Sequence, residues 1–324
     1  MNEFDFIATH LRPLVKAPEA DGLHDDVAIL PNRVRATIVT TDTIVERVHF
    51  RAEDQLDTVA KKLIRTNVSD CLAKGAKPFA ATLNIVWSRG RSEADLVTFV
   101  SGLSEDLETF QIDLLGGDTT STLDGLVFSL TLYGECVSES GPVRRSGAQL
   151  NDDVWVTGSI GDAALGLNML KQSTDSAESW LCNAYLVPNL PAEGVADLIS
   201  AFANASMDVS DGLIADATHL VEASEKGIEL TLERVPVSEA AKSVLSQPMS
   251  ANNLLKLCAG GDDYQALFTA PQAHREAVLK RALADGIALT RIGSVVNGPA
   301  ELLLTFEGRS VEPPQAGWQH FMFS

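Results

Sequence analysis

Basic residues are scarce in this chain: 25 Lys and Arg stand against 44 Asp and Glu, a formal net charge of −19. A nucleic-acid surface needs clustered Lys and Arg, so that class of function is set aside. An anionic substrate would have to be held by cations or by a few local basic residues. Cysteine is thin as well. Cys71, Cys136, Cys182 and Cys258 form no C-x-x-C pair, so neither a zinc cluster nor a disulfide framework is indicated, and buried thiols are expected. No run of about 18 apolar residues appears, which excludes an obvious membrane helix. The start, Met1 to His10, carries acids where a secretory signal carries basic residues, and a cytosolic protein is expected. No internal repeat of about 20–50 residues is visible, which removes solenoids.

What remains is a globular composition, 45% hydrophobic and 21% charged over 324 residues, long enough for two domains. Helical periodicity marks 6–15, 56–76 and 92–110, the last opened by Ser92 and Asp95 in capping positions. Strand-like runs occupy 26–30, 36–43, 79–87, 113–118 and 126–135. The polar stretch "SESGPVRRSGAQLNDD" marks a boundary between domains at 1–140 and 141–324. In the second half, strands are expected at 154–159, 205–210, 228–232 and 263–270, with a short strand tail. Helices are expected at 162–170, 192–203, 211–227 and 273–286, and in a stretch running to Gly261. Strands come in groups and do not alternate strictly with helices. The expected class is therefore α/β with mixed sheets and some α+β character, helices covering one face.

The aspartates concentrate the chemistry. Asp25 and Asp26 open a strand, Asp42 closes one in "TTDT", Asp70 lies in a helix, and Asp118 ends a strand in "GGDTT". Asp208 and Asp211 join strand to helix in "MDVSDG", and Asp262 and Asp263 open a strand in "GGDDY". An aspartate in such a place also caps a helix or tolerates a turn, and both readings stand for each site alone. If the strand ends converge, their carboxylates repel one another and call for a counter-ion. Magnesium is the hard cation shared between carboxylates and phosphates, with Thr40, Thr41 and Thr43 as further oxygen donors beside Asp42. A carboxylate cluster with magnesium suggests phosphoryl transfer, in which the protein mainly positions groups and neutralises charge. The usual nucleotide motifs are missing: there is no G-x-x-x-x-G-K-[ST] and no kinase H-R-D with D-F-G. "GSIGDAALG" reads as a strand-to-helix turn with a weak signal for phosphate. Arg144 and Arg145 suit phosphate or a solvated linker equally. His49 alone reads as a hydrogen-bonded structural histidine. Trp318 reads as part of a C-terminal apolar plug or as a platform for a flat heterocycle.

The ordered series "DDVAIL", "TTDTIVERVHF", "NVSDCLAKGAKP", "GGDTT", "RSGA", "GDAALGL", "MDVSDGL", "GGDDYQALFT" and "GWQHF" spans the chain nearly end to end. It resembles the thiamine-monophosphate kinase family, within the superfamily of ATP-binding enzymes related to aminoimidazole ribonucleotide synthetase. The resemblance implies two α/β domains, with N-terminal sheets pairing across a homodimer into a barrel. It implies transfer of the γ-phosphoryl group of ATP directly to thiamine monophosphate, with several Mg2+ ions. Carried onto this sequence, Asp25, Thr40, Thr41, Asp42, Asp70, Asp118, Asp208 and Asp211 match metal ligands, with Asp42, Asp118 and Asp211 nearest the chemistry. Gly117, Asp118, Arg145 and Ser210 match ATP contacts; His49, Asp262 or Asp263, and Trp318 match acceptor contacts. The chain departs from the family pattern at His24, at Glu46 and Arg47, and at Asp262, where a glutamate is usual. Another superfamily activity, on a ribonucleotide or on selenide, is the nearest alternative. A selenide enzyme normally carries a reactive cysteine near its start, whereas the first here is Cys71. A non-catalytic calcium-binding protein is the alternative of another class, and no EF-hand spacing supports it.

Overall fold

A computed structural model describes residues 5, 7–18, 20, 30, 33–172, 179–245 and 248–312. Asp25, Asp26, His24, the strand expected at 26–30, and Trp318 lie outside the described residues. The chain divides into two compact units, Met1–Cys71 with Ala76–Gly141, and Leu72–Gly75 with Pro142–Ser324.

The first unit carries a four-stranded sheet of β1 (Thr37–Val45), β2 (Ala76–Ser88), β3 (Asp113–Thr122) and β4 (Val127–Cys136). The order is β1-β4-β2-β3, with only β2 and β3 parallel. Helices α1 (Leu56–Ala73) and α2 (Glu93–Thr109) follow the expected periodicity. Ser92 starts α2 through a reciprocal pair of bonds: its hydroxyl accepts the Asp95 N–H at 3.2 Å, and its own N–H donates to the Asp95 carboxylate at 2.8 Å. The apolar face of α2 lies on the sheet through Phe99, stacked on Phe128 of β4 with ring centroids 4.1 Å apart. The helix expected at 6–15 is a wide turn at Ile7–Leu11 followed by a 3-10 turn at Arg12–Leu14. Pro13 has no N–H to continue an α-helix.

Two aspartates sit deeper in their strands than expected. Asp42 does not close β1, because the β-branched Ile44 and Val45 resume the alternation and pair with Phe128 and Val127. Asp118 does not end β3, because the threonine-rich run to Thr122 stays paired with Asn84 to Ser88.

The second unit is built on a seven-stranded sheet. Its strands are β5 (Asp152–Thr157), β6 (Ala205–Val209), β7 (Gly227–Thr231), β8 (Gln265–Pro271), β9 (Leu289–Val296), β10 (Leu302–Phe306) and β11 (Arg309–Val311). The order is β11-β10-β7-β9-β5-β8-β6, with only β7 and β10 parallel. The mixed sheets of both units match the fold class expected from the sequence. Every residue of β5 is buried, the polar Asp152, Asp153 and Thr157 as well as the apolar Val154, Trp155 and Val156. Helix α3 (Asp162–Gln172) packs through Ala163 and Leu170 against Cys182 and Tyr185 of the short helix α4 (Trp180–Leu186). Helix α5 (Gly194–Phe202) precedes β6, and α6 (Leu213–Ser224) buries Leu213, Ala217 and Leu220 in the main core. The stretch expected to run to Gly261 is two short helices, α7 (Glu239–Val244) and α8 (Ala251–Cys258), and α9 (Arg275–Ala284) follows β8. The expected short tail is three strands, β9 to β11. All four cysteines are buried. Among the described residues no helix is long and apolar enough to cross a membrane.

Candidate active site

In the first unit, β1 alternates faces, so Thr40 and Asp42 point one way and Thr41 and Thr43 the other. The Thr40 hydroxyl donates to Asp70 Oδ2 on α1 at 2.5 Å, which places the Thr40 face against that helix. The Asp42 carboxyl is pushed up to about 6, first by burial and then by the charge of Asp70. Thr40, Asp42 and Asp70 are thus brought together. Thr41 is not: its hydroxyl donates to the Leu130 carbonyl and accepts from Thr131, both at 3.1 Å, on the opposite face.

Asp118 belongs to that opposite face too. The register sets Thr43, Ser129, Asn84 and Asp118 in one row across the sheet, and Asp42, Leu130, Leu83 and Gly117 in the next. Gly117 has a packing reason to be glycine, since a Cβ there would lie 1.8 Å from the Leu83 carbonyl oxygen. Among the described residues no three His, Cys, Asp or Glu side chains gather as a metal-binding group.

His49 closes the loop after β1. The Val45 N–H donates to His49 Nδ1 at 3.0 Å, so the neutral imidazole carries its hydrogen on Nε2. The buried Lys62 ammonium donates to the His49 carbonyl at 3.2 Å. Glu46 braces the same loop, accepting the Leu126 N–H at 2.9 Å and facing Arg91 at 3.3 Å. Arg47 is exposed and holds a left-handed φ of 68° in this tight turn.

In the second unit, Asp208 is buried near the end of β6, and Ser210 and Asp211 form the turn into α6. Asp216, one turn into that helix, accepts the backbone N–H of Ser210 at 2.9 Å and of Asp211 at 3.1 Å. Burial, and then the Asp211 charge, push the Asp216 carboxyl up to about 7, while those two bonds and the Arg145 guanidinium act the other way. Arg145 therefore lies within electrostatic reach of the Asp216 carboxyl, and its carbonyl accepts from Ser224 Oγ at 2.9 Å. The Asp262 N–H donates to the Ser210 carbonyl at 2.8 Å and the Tyr264 N–H to the Val209 carbonyl at 2.7 Å, joining "MDVSDG" to "GGDDY". This is one cluster from two motifs about fifty residues apart.

Asp262 and Asp263 have different settings. The Asp263 carboxylate is buried and accepts the Gly161 N–H at 2.8 Å at the start of α3; burial holds its carboxyl well above the ordinary range. The amide of Gly161, in the "GSIGDAALG" turn read as a weak phosphate site, is thus given to a carboxylate. Asp262 is half-buried with a φ of 69°, and its Oδ1 accepts from the Tyr264 hydroxyl at 3.1 Å. Both residues line a cavity of about 510 Å3 with Asp162 and Trp180. The sequence reading missed Asp216, Asp162 and Trp180. An acid opening a helix in "GDAALG" was the available signal for Asp162; nothing in the sequence linked it to Trp180.

Two family models match this architecture: AIR synthase related protein, N-terminal domain, over residues 24–136, and its C-terminal domain over 150–303. A thiamine-monophosphate kinase of Caulobacter vibrioides is 39% identical over 321 residues, covering 98% of this chain and 90% of its own. The chain belongs to the thiamine-monophosphate kinase family. The solved thiamine-monophosphate kinase of Stenotrophomonas maltophilia K279a superposes with a TM-score of 0.83 at 31% identity, covering 96% of this chain and 98% of its own. Another solved structure, AaThiL complexed with AMPPCP and TMP, superposes with a TM-score of 0.77 at 31% identity, covering 92% of this chain and 91% of its own. That kinase holds an ATP analogue and thiamine monophosphate together. The residues present fit a hard divalent cation: Asp42 and Asp70 offer only oxygen donors, and the Asp70 charge that helps push up the Asp42 carboxyl is one such a cation would offset.

Proposed function

We propose that this chain transfers the γ-phosphoryl group of ATP to thiamine monophosphate, giving thiamine diphosphate and ADP, in a magnesium-dependent direct transfer. The observation that carries the reading is its 39% identity, across 98% of its length, to a thiamine-monophosphate kinase. Magnesium, when bound, supplies charge neutralisation between the phosphate groups of donor and acceptor.

The ligand residues in this reading are Asp25, Thr40, Asp42, Asp70, Asp118, Asp208 and Asp211, with Thr41 beside them. Asp42 and Asp70 hold two negative charges against one face of β1, and Thr40 orients Asp70. Gly117, Asp118, Ser210 and Arg145 receive ATP, and Asp216 keeps the Ser210–Asp211 turn in shape. His49, Asp262 and Trp318 receive the acceptor; Asp263 supports them from the start of α3. The attacking atom is a phosphate oxygen whose second pKa is about 6, so it is largely ionised at neutral pH and needs no strong base. His49, with its hydrogen on Nε2, acts as a donor to that phosphate.

The reading also makes the chain a cytosolic homodimer. Its first sheet supports this with an exposed face that includes Val39, 63% accessible. Sedimentation tests the dimer. The activity is tested by incubating purified protein with ATP, magnesium and thiamine monophosphate and following thiamine diphosphate by chromatography. The diphosphate should form, and chelation should stop it. No diphosphate at saturating substrates and metal sinks the reading.

A further inference from the structure

The loop from Val45 to Ala52, which carries His49, is held by charged side chains from outside it. Arg91, in the turn between β2 and α2, sets one guanidinium nitrogen against both ends of the loop: Nη2 lies 3.3 Å from Glu46 Oε1 and donates to the Ala52 carbonyl at 3.1 Å. Glu46, its side chain 6% exposed, accepts the Leu126 N–H ahead of β4 with its other oxygen at 2.9 Å. In the middle, Lys62 of α1 donates its ammonium to the carbonyl of His49 itself at 3.2 Å. Lys62 is 2% exposed, and an ammonium is costly to bury unless its bonds fix it in place.

The loop keeps little freedom inside this frame. The His49 N–H donates to the Val45 carbonyl at 2.9 Å and the Arg47 N–H to the Phe50 carbonyl at 2.7 Å. Phe50 is buried beside Phe128, with ring centroids 6.2 Å apart. The imidazole is bonded at Nδ1 by the Val45 N–H. His49 is therefore tied at its N–H, at its carbonyl and at one ring nitrogen, and the direction of its Nε2–H bond follows from those three ties. A donor aimed before the ligand arrives avoids the entropy of ordering a loop on binding.

We propose that Lys62 is a positioning residue for acceptor binding: together with the Arg91–Glu46 clasp it holds the His49 loop, and with it the Nε2 donor, in the binding conformation before the acceptor arrives. The proposal rests on His49 receiving the phosphate of thiamine monophosphate.

The test uses the full-length protein. Lys62→Met keeps the long stem and removes the donor. It should raise the KM for thiamine monophosphate about tenfold, the scale of losing a charged hydrogen bond, and leave kcat and the KM for ATP within about threefold. Lys62→Arg keeps a cationic donor and should stay within about threefold of wild type. Arg91→Ala opens the clasp at a partly exposed site, should move the same constant in the same direction, and covers the case of a Lys62→Met protein that does not fold. A second readout needs no turnover: nuclear magnetic resonance of isotopically labelled histidine at about pH 8, where imidazole is neutral, with His49→Gln to assign the signal. Wild-type His49 should show two well-separated ring-nitrogen shifts, those of the Nε2–H form, and in Lys62→Met they should converge as tautomers exchange. An unchanged KM for thiamine monophosphate in the folded variants overturns the proposal. So does a raised KM with unchanged His49 nitrogens, or an equal loss in kcat and in the KM for both substrates, which would make Lys62 structural. Failure of the kinase reading looks different: no turnover by wild type, with thiamine monophosphate still shifting the His49 nitrogens and Lys62→Met still bringing them together.

Discussion

The hydroxyl of Thr40 donates to Oδ2 of Asp70 at 2.5 Å, tying the middle of β1 to α1 beside the Asp42 carboxyl. Two carboxylates held this way in one place oppose each other's ionisation, and a cation that joins them gains what they lose alone.

Asp42→Asn should therefore separate metal use from folding. Removing one ligand charge should lower kcat by about 100-fold or more, a typical cost of losing a preorganised electrostatic group. The melting temperature in chelator should be unchanged or higher, because a carboxyl already pushed up to about 6 is replaced by a neutral amide. Loss of folded protein in step with activity would make Asp42 structural.

Asp216 predicts a pH dependence. Its carboxyl is near 3.8 when unfolded and about 7 when folded, so the folded state binds the proton more tightly. Its contribution is most favourable below about pH 4 and is lost as the pH rises toward 7, by up to about 4 kcal/mol. Asp216→Asn keeps an oxygen acceptor for the Ser210 and Asp211 N–H groups without the charge. In chelator, the variant should gain stability over wild type on going from pH 5 to pH 8, read by denaturant melts; parallel curves would refute the buried-charge account.

Gly117→Ala should damage the pairing of β2 with β3. The added Cβ would stand 1.8 Å from the Leu83 carbonyl oxygen, and backbone on both sides has to move. A loss of about 3 kcal/mol or more is expected, with poor soluble yield. A wild-type melting temperature would mean that the strands separate more easily than their register suggests.

Ser92→Ala removes the acceptor for the Asp95 N–H at the start of α2. It should cost about 1 kcal/mol by chemical denaturation. Steady-state constants should not change, since Ser92 is not among the site residues. A change in KM for either substrate would assign the helix start a part in binding.

Much of the fold was legible because its signals are local. The apolar stripe of 56–76 and the Ser92–Asp95 pair announced α1 and α2, and the alternation in 126–135 announced β4. The errors were local as well. An aspartate reads as a strand end by propensity, yet at Asp42 and Asp118 the β-branched neighbours and the ladder outweigh that preference. The three strands of the tail were compressed into one expectation, because short runs near turns carry little periodicity. In the site, motif order pointed to Asp70, Asp208 and Asp211 one residue at a time. It carried no sign of Asp216 or of Trp180, whose settings depend on partners brought to them by the fold.

By itself the sequence determined the family, the kinds of element and most candidate carboxylates, since ordered motifs and periodicities are properties of the chain taken in order. Tertiary structure alone decided which of those carboxylates share a face. Asp42 meets Asp70 while Thr41 and Asp118 belong to the other side of the sheet, because strand register and alternation act across 30 to 90 residues of chain. The same holds for the cavity, where Trp180 finds Asp162 eighteen residues away and Ser238 reaches it across 76, contacts that no local pattern encodes.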